Sequence, residues 1–142
     1  MESLLAASLI FVFAVLASLH LYWAVGGRRA FFAAIPEVDG ALAFVPSRFA
    51  TLTIATVLAA CAAVVAASAG FLAVPVPGTV VRSLAAGLSV VLVMRAIGDF
   101  SLFGMFKKVD GTYFAEMDSR VYSPLCLVLA VGAVVATLPP QA

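Results

Sequence analysis

LLAASLIFVFAVLASLHLYWAV, residues 4–25, carries no full charge from end to end. A hydrocarbon core about 30 Å thick needs roughly 20 apolar residues at a helical rise of 1.5 Å each, so this stretch is long enough to span a bilayer. Three more runs of the same character follow, at 49–69, 79–97 and 121–138, the last closed by Pro139 and Pro140. An extended segment would leave backbone N–H and C=O groups unpaired in lipid, so each run is read as a helix. Pro75, Pro77 and Gly78 mark a tight turn between the second and third runs and make them antiparallel neighbours. The expected fold is all-α: one transmembrane domain over 1–142, built as an antiparallel four-transmembrane-helix bundle with loops at 26–48, 70–78 and 98–120. Met1 and Glu2 lead directly into a run too long for the core of a signal peptide, so cleavage is not expected.

Composition agrees. The 142 residues are 65% hydrophobic and 11% charged, too few charges to cover a water-facing surface. A net charge of +1 gives no basic footprint for a nucleic acid. Cys61 and Cys126 sit alone in apolar runs with no CxxC spacing, which argues against a disulfide scaffold, a zinc site or a thiol oxidoreductase. No nucleophile elbow, P-loop, dinucleotide fingerprint or HExxH is present, so no motif names a catalytic residue, a metal or a cofactor. No carboxylate falls at the centre of a span, which weakens a proton-coupled antiporter.

Basic residues orient the bundle. Arg28, Arg29, Arg48, Lys107, Lys108 and Arg120 flank or occupy the first and third loops, against Arg82 alone on the other side. The expectation is that loops 26–48 and 98–120 are cytoplasmic and both termini lie outside. A shift of 72 residues superposes Ala24-Val25-Gly26 on Ala96-Ile97-Gly98 and Ser47-Arg48 on Ser119-Arg120. Two parallel two-helix repeats and simple convergence of two hairpins both account for this match.

Ala55, Ala59, Ala63 and Ala67 recur every fourth residue, a small-residue stripe expected to pack against other helices within the bundle. Self-association or contact with a larger complex is the alternative use. His20, the single histidine, and Trp23 share a face near the end of the first span. Trp23 suits an interfacial aromatic belt; His20 suits either a structural hydrogen bond or proton and ligand handling. Arg95 with Asp99 four residues on is expected to form an ion pair on one face, as a clamp or as a grip on an anionic headgroup. Arg48, Asp118, Arg120 and Tyr122 gather at the same end. Ser47 and Ser119 are candidate caps for the second and fourth spans, and Pro124 suits an early helical turn. Phe100, Phe103, Met105, Phe106, Lys107 and Lys108 read as a short amphipathic interfacial segment, with a turn at Asp110-Gly111.

His20-Leu21-Tyr22-Trp23-Ala24-Val25-Gly26-Gly27, Arg95-Ala96-Ile97-Gly98-Asp99-Phe100 and Tyr122-Ser123-Pro124-Leu125-Cys126 together resemble an uncharacterised family of small bacterial four-span membrane proteins, a domain of unknown function. The resemblance covers nearly the whole chain. It implies a multi-pass protein of the bacterial inner membrane and brings no activity, cofactor or catalytic residue with it. Three functions fit these observations: binding of a lipid-like or amphipathic ligand in a polar pocket of the cytoplasmic leaflet, a small membrane enzyme on an apolar substrate, or an accessory subunit of a larger membrane complex.

Overall fold

Ser47 and Thr112 set the start of two of the four long helices. The Ser47 hydroxyl accepts from the backbone N–H of Ala50 at 3.1 Å, and that of Thr112 accepts from Ala115 at 3.1 Å. Each satisfies one of the donors that a first turn leaves free. The computed structural model describes residues 2–137, and its long helices are α1 (Glu2–Ala24), α2 (Arg48–Ser68), α3 (Gly78–Ile97) and α4 (Tyr113–Val135). All four are long and apolar enough to cross a membrane, as the sequence required.

The fourth helix corrects the expected boundary. It begins at Tyr113 rather than near Val121, so the third loop ends at Thr112 and Ser119 caps nothing. Asp118, Ser119 and Arg120 read as loop because they are polar, yet they lie on the helix. Between Asp118 and Tyr122 the helix widens into a π turn, closed by the Ser123 N–H on the Asp118 carbonyl. Pro124 follows at once. It is in mid-helix rather than in a first turn, and the wider turn eases the clash its ring would make with the preceding turn. Leu138, Pro139, Pro140 and the C-terminal Ala142 fall outside the described residues.

The chain runs up and down, with α1 packed chiefly along α2 and α3 along α4, so the two hairpins inferred from the sequence are also the main packing units. Gly26 and Gly98, matched by the 72-residue shift, both follow their helices with positive φ, +105° and +92°. A core of Ala6, Leu9 and Phe13 on α1, Val65 on α2 and Leu129 on α4 holds the hairpins together. Gly132 lies so close to α1 that a Cβ there would strike the Leu9 side chain. Ser89 donates to the Ala130 carbonyl at 2.8 Å across the α3–α4 seam.

Small residues do mediate helix packing, but on a different seam from the one expected. Ala85, Ser89 and Ala96 on α3 and Ala130, Gly132 and Ala133 on α4 are buried. On α2, Ala55 is buried and Ala67 half-buried, while Ala59 and Ala63 are exposed on the outer face. The reason is geometric. Every fourth residue advances about 40° past a full turn, so the stripe winds off the packed face, which instead follows Thr51, Ala55, Leu58, Ala62 and Val65.

Loop one carries a 3₁₀ turn at Phe32–Ala34 and a hairpin of β1 (Glu37–Val38) and β2 (Ala41–Leu42). Asp39 and Gly40 turn it with φ of +51° and +78°, the left-handed pair that a two-residue hairpin connection needs. Loop three is irregular over Phe100 to Lys108, the stretch read from the sequence as an amphipathic segment. It folds back beneath α3, where the Met105 N–H reaches the Ala96 carbonyl at 2.8 Å and so satisfies an orphan acceptor of the helix end.

Candidate functional site

α3 ends at Ile97, and Gly98 turns the chain away. Asp99 is therefore not on the helix, and the four-residue spacing that suggested an Arg95–Asp99 pair has no helical face to act on. Its Oδ1 instead accepts from the backbone N–H groups of Ser101, Leu102 and Phe103 at 2.9, 2.7 and 3.1 Å. Burial, which is slight, pushes this carboxyl upward, but the three amide bonds outweigh it and hold it below the usual carboxylate range. Asp99 orders loop three.

Arg95 pairs with Asp118, Nη2 to Oδ1 at 2.9 Å. Asp118 is fully buried and accepts further from the Gly104 N–H at 2.6 Å and the Ser123 hydroxyl at 3.4 Å. Lys107 Nζ lies 3.4 Å from its second oxygen and donates to the Gly104 carbonyl at 3.1 Å and to the Ser119 hydroxyl. The Arg95 guanidinium also sits 5.0 Å from the centre of the Phe103 ring. One carboxylate faces two cations, a surplus of positive charge around a buried acceptor, and Arg95 Nη1 is buried without a partner among the described residues. Gly98 and Gly104 make the network reachable: their backbones cross so closely that a Cβ on either would overlap the other.

His20, Trp23 and Arg48 lie apart from this network, at the same end of the bundle but on the α1–α2 hairpin. His20 Nδ1 is 2.8 Å from the Leu16 carbonyl. A carbonyl only accepts, so Nδ1 carries the proton in the neutral ring and Nε2 keeps its lone pair. The His20 and Trp23 rings meet edge-on at 4.8 Å, and Trp23 meets the buried Phe31 in the same way at 5.8 Å. The indole N–H donates to the Arg29 carbonyl at 2.8 Å, which ties loop one to α1.

Between α1, α2 and loop one is a cavity of about 330 Å³, lined mainly by His20, Trp23, Ile35, Phe44, Thr51 and Ile54. A smaller space of about 100 Å³ adjoins it, reaching Gly26, Arg28 and Arg48. Trp23, Phe31, Pro46 and Thr51 form the common wall of the two. A third hollow, about 550 Å³, is an open groove along the first turns of α4, past Tyr113, Glu116 and Arg120. None of these three spaces reaches Arg95.

The eight polar residues singled out in the sequence thus do not converge. Arg95 and Asp118 meet; His20, Trp23 and Arg48 belong to the cavity; Asp99 serves loop three. Arg120 is exposed and bonds Glu116 at 2.6 Å, one turn back on the same helix. Tyr122 bridges the halves, its hydroxyl donating to the Ala33 carbonyl at 3.1 Å. Lys107 and Ser123 were not expected in a network. Their signal was faint: a lysine among phenylalanines and a serine before a proline.

A family model described as a protein of unknown function, DUF3995, matches residues 13–133. The chain belongs to that family. The match runs from the middle of α1 almost to the end of α4 and takes in both loops of the basic end and every residue of the Asp118 network. No curated protein and no solved structure matches the chain. This member of DUF3995 is a multi-pass membrane protein, and what it does must be read from its own geometry.

Proposed function

We propose that this DUF3995 protein binds a lipid-like, amphipathic ligand at the basic end of the α1–α2 hairpin. The observation that carries the reading is the cavity of about 330 Å³ beside His20 and Trp23, within the range of small-molecule sites. Its walls are largely apolar, with the His20 ring and the Thr51 hydroxyl as the polar groups, as an amphipathic ligand requires. The Asp118 network takes a structural part here: it fixes loop three and the start of α4, and Tyr122 carries that order to loop one. With the basic end cytoplasmic, the site opens to the inner leaflet.

Native mass spectrometry after mild extraction tests this. The wild type should retain a lipid-sized mass, and Ala50→Phe, which fills the cavity from its exposed rim, should lose it while keeping its helicity. A wild type that carries no such mass when reconstituted with lipid would sink the reading. The accessory-subunit reading gains support from one observation, the exposure of Ala59 and Ala63, where a partner helix could approach closely. Stoichiometric co-purification with a larger protein would favour it.

A further inference from the structure

We infer that the ligand is an anionic phospholipid, with its phosphate held in the small space between Arg28 and Arg48 and an acyl chain in the larger cavity beside it; this rests on the amphipathic-ligand reading above and specifies its chemistry. Four observations point this way. First, the two spaces share a wall, so one molecule can occupy both, and they differ in kind: the larger is mainly apolar, while Arg28 and Arg48 are among the residues that line the smaller. Second, neither arginine has a carboxylate within ion-pair distance among the described residues, and no carboxylate lines either space. The charge there is uncompensated, in contrast to Arg95 and Arg120, which are both paired.

Third, the Arg28 guanidinium is placed against a ring, and Arg48 is placed by its position in the fold. Arg28 lies 5.4 Å from the centre of the Phe31 ring, and Phe31 is itself buried in the wall between the two spaces. Arg48 is the first residue of α2, whose first turn contains no acidic residue to compete for an anion. Fourth, Gly26 lines the same small space and has nothing within 4 Å of where a Cβ would stand, which leaves room for a phosphate beside its backbone. A planar fork suits phosphate oxygens. The source is a lipid rather than free phosphate because the anion site opens into an apolar cavity on a membrane-spanning hairpin.

The test uses the full-length protein, stripped of lipid and offered phosphatidylglycerol and phosphatidylcholine with identical chains, with bound lipid counted by native mass spectrometry. Each arginine at a membrane surface is worth about fivefold, so the wild type should prefer phosphatidylglycerol by roughly 25-fold. Arg28→Gln and Arg48→Gln should each cost about fivefold of that preference, and the double variant should bind both lipids about equally. Ala50→Phe should lose both lipids alike, with circular dichroism confirming that every variant keeps its helices. Equal retention of both lipids by the wild type would overturn the anionic assignment and leave the amphipathic-ligand reading standing; retention of neither would overturn both. A preference that survives in the double variant would place the anion elsewhere. Displacement of phosphatidylglycerol by millimolar inorganic phosphate alone would make the site one for a free anion.

Discussion

Arg95 on α3 donates to Asp118 on α4 at 2.9 Å, and the acceptor is wholly buried. Two helices and a loop depend on that carboxylate, since Gly104 and Lys107 also meet it. Asp118→Asn keeps the shape but leaves two cations facing a neutral amide, Lys107 buried and Arg95 about one-third exposed. Breaking a fully buried pair from one side costs roughly 3–5 kcal/mol, and water at Arg95 should bring Asp118→Asn to the lower end of that range or below it. Arg95→Met combined with Lys107→Met and Asp118→Leu removes every charge at once and should recover much of the loss. Thermal unfolding in a fixed detergent measures both. An Asp118→Asn protein that melts like the wild type would show the network to be dispensable.

Asp99 predicts a pH dependence confined to loop three. Its carboxyl is held below the usual range, so what it contributes is present above the unfolded value of about 3.9 and is lost as pH falls through the lower folded value. The amide proton resonances of Ser101, Leu102 and Phe103 should titrate together, with a midpoint below about 3.9. Asp99→Ala should abolish that titration and expose the loop to protease while the helices stay intact. A midpoint at or above the ordinary carboxylate value would contradict the capping role.

Two glycines give a paired test. Gly104 has φ +94° and its Cβ position overlaps Gly98, so Gly104→Ala is strained in conformation and in space. It should destabilise by about 1–3 kcal/mol and loosen the Asp118 network with it. Gly87 in α3 has open space at its Cβ position. Gly87→Ala should be neutral or stabilising by up to about 1 kcal/mol, since glycine is the weaker helix former. The two melting temperatures should move in opposite directions or differ widely; equal shifts would mean that the Gly98–Gly104 crossing carries no special constraint.

The four spans were legible because lipid leaves a chain few choices. Uncharged runs near 20 residues long admit one structure, and the tight turn at Pro75–Gly78 fixes one neighbour relation. The start of α4 was not legible, because Asp118 looks like loop until its partners are known, and those partners are 11 and 23 residues away in the chain. The Arg95–Asp99 error has the same origin: a spacing rule holds only while the helix lasts, and one glycine ended it. His20, Trp23 and Arg48 were found by type, but their place in one cavity depends on how loop one folds back. No periodicity encodes that.

The alanine residues of α2 now separate by environment. Ala59 and Ala63 face outward, so Ala59→Leu should leave the melting temperature of the isolated protein nearly unchanged. Ala85 and Ala133 are fully buried, one on each side of the α3–α4 seam, and Leu at either should overpack it at a cost of about 1–3 kcal/mol. If Ala59→Leu also splits a dimer or releases a bound protein, α2 is a contact face and the accessory-subunit reading gains. A large stability loss at Ala59 with none at Ala85 would invert the assignment of the packed faces.

Orientation follows from charge and can be measured without any knowledge of function. Loops one and three share an end, because Tyr122 on α4 bonds Ala33 of loop one and α1 and α3 both run toward it. That end holds Arg28, Arg29, Arg48, Lys107, Lys108 and Arg120, while Arg82 stands alone near the other. Positive charge near span ends is retained on the cytoplasmic side. Reporter fusions at Asp39 and Gly111 should therefore read inside, and fusions at Pro77 outside. Cysteine labelling at the exposed Phe106 and Phe71 positions gives the same answer without truncating the chain. Replacing Arg28, Arg29 and Arg48 with Gln should weaken the bias toward this orientation, with α3 and α4 still held by the remaining basic residues of loop three. An outward reading at Asp39 or Gly111 would place the Arg28–Arg48 site in the outer leaflet and change which lipids can reach it.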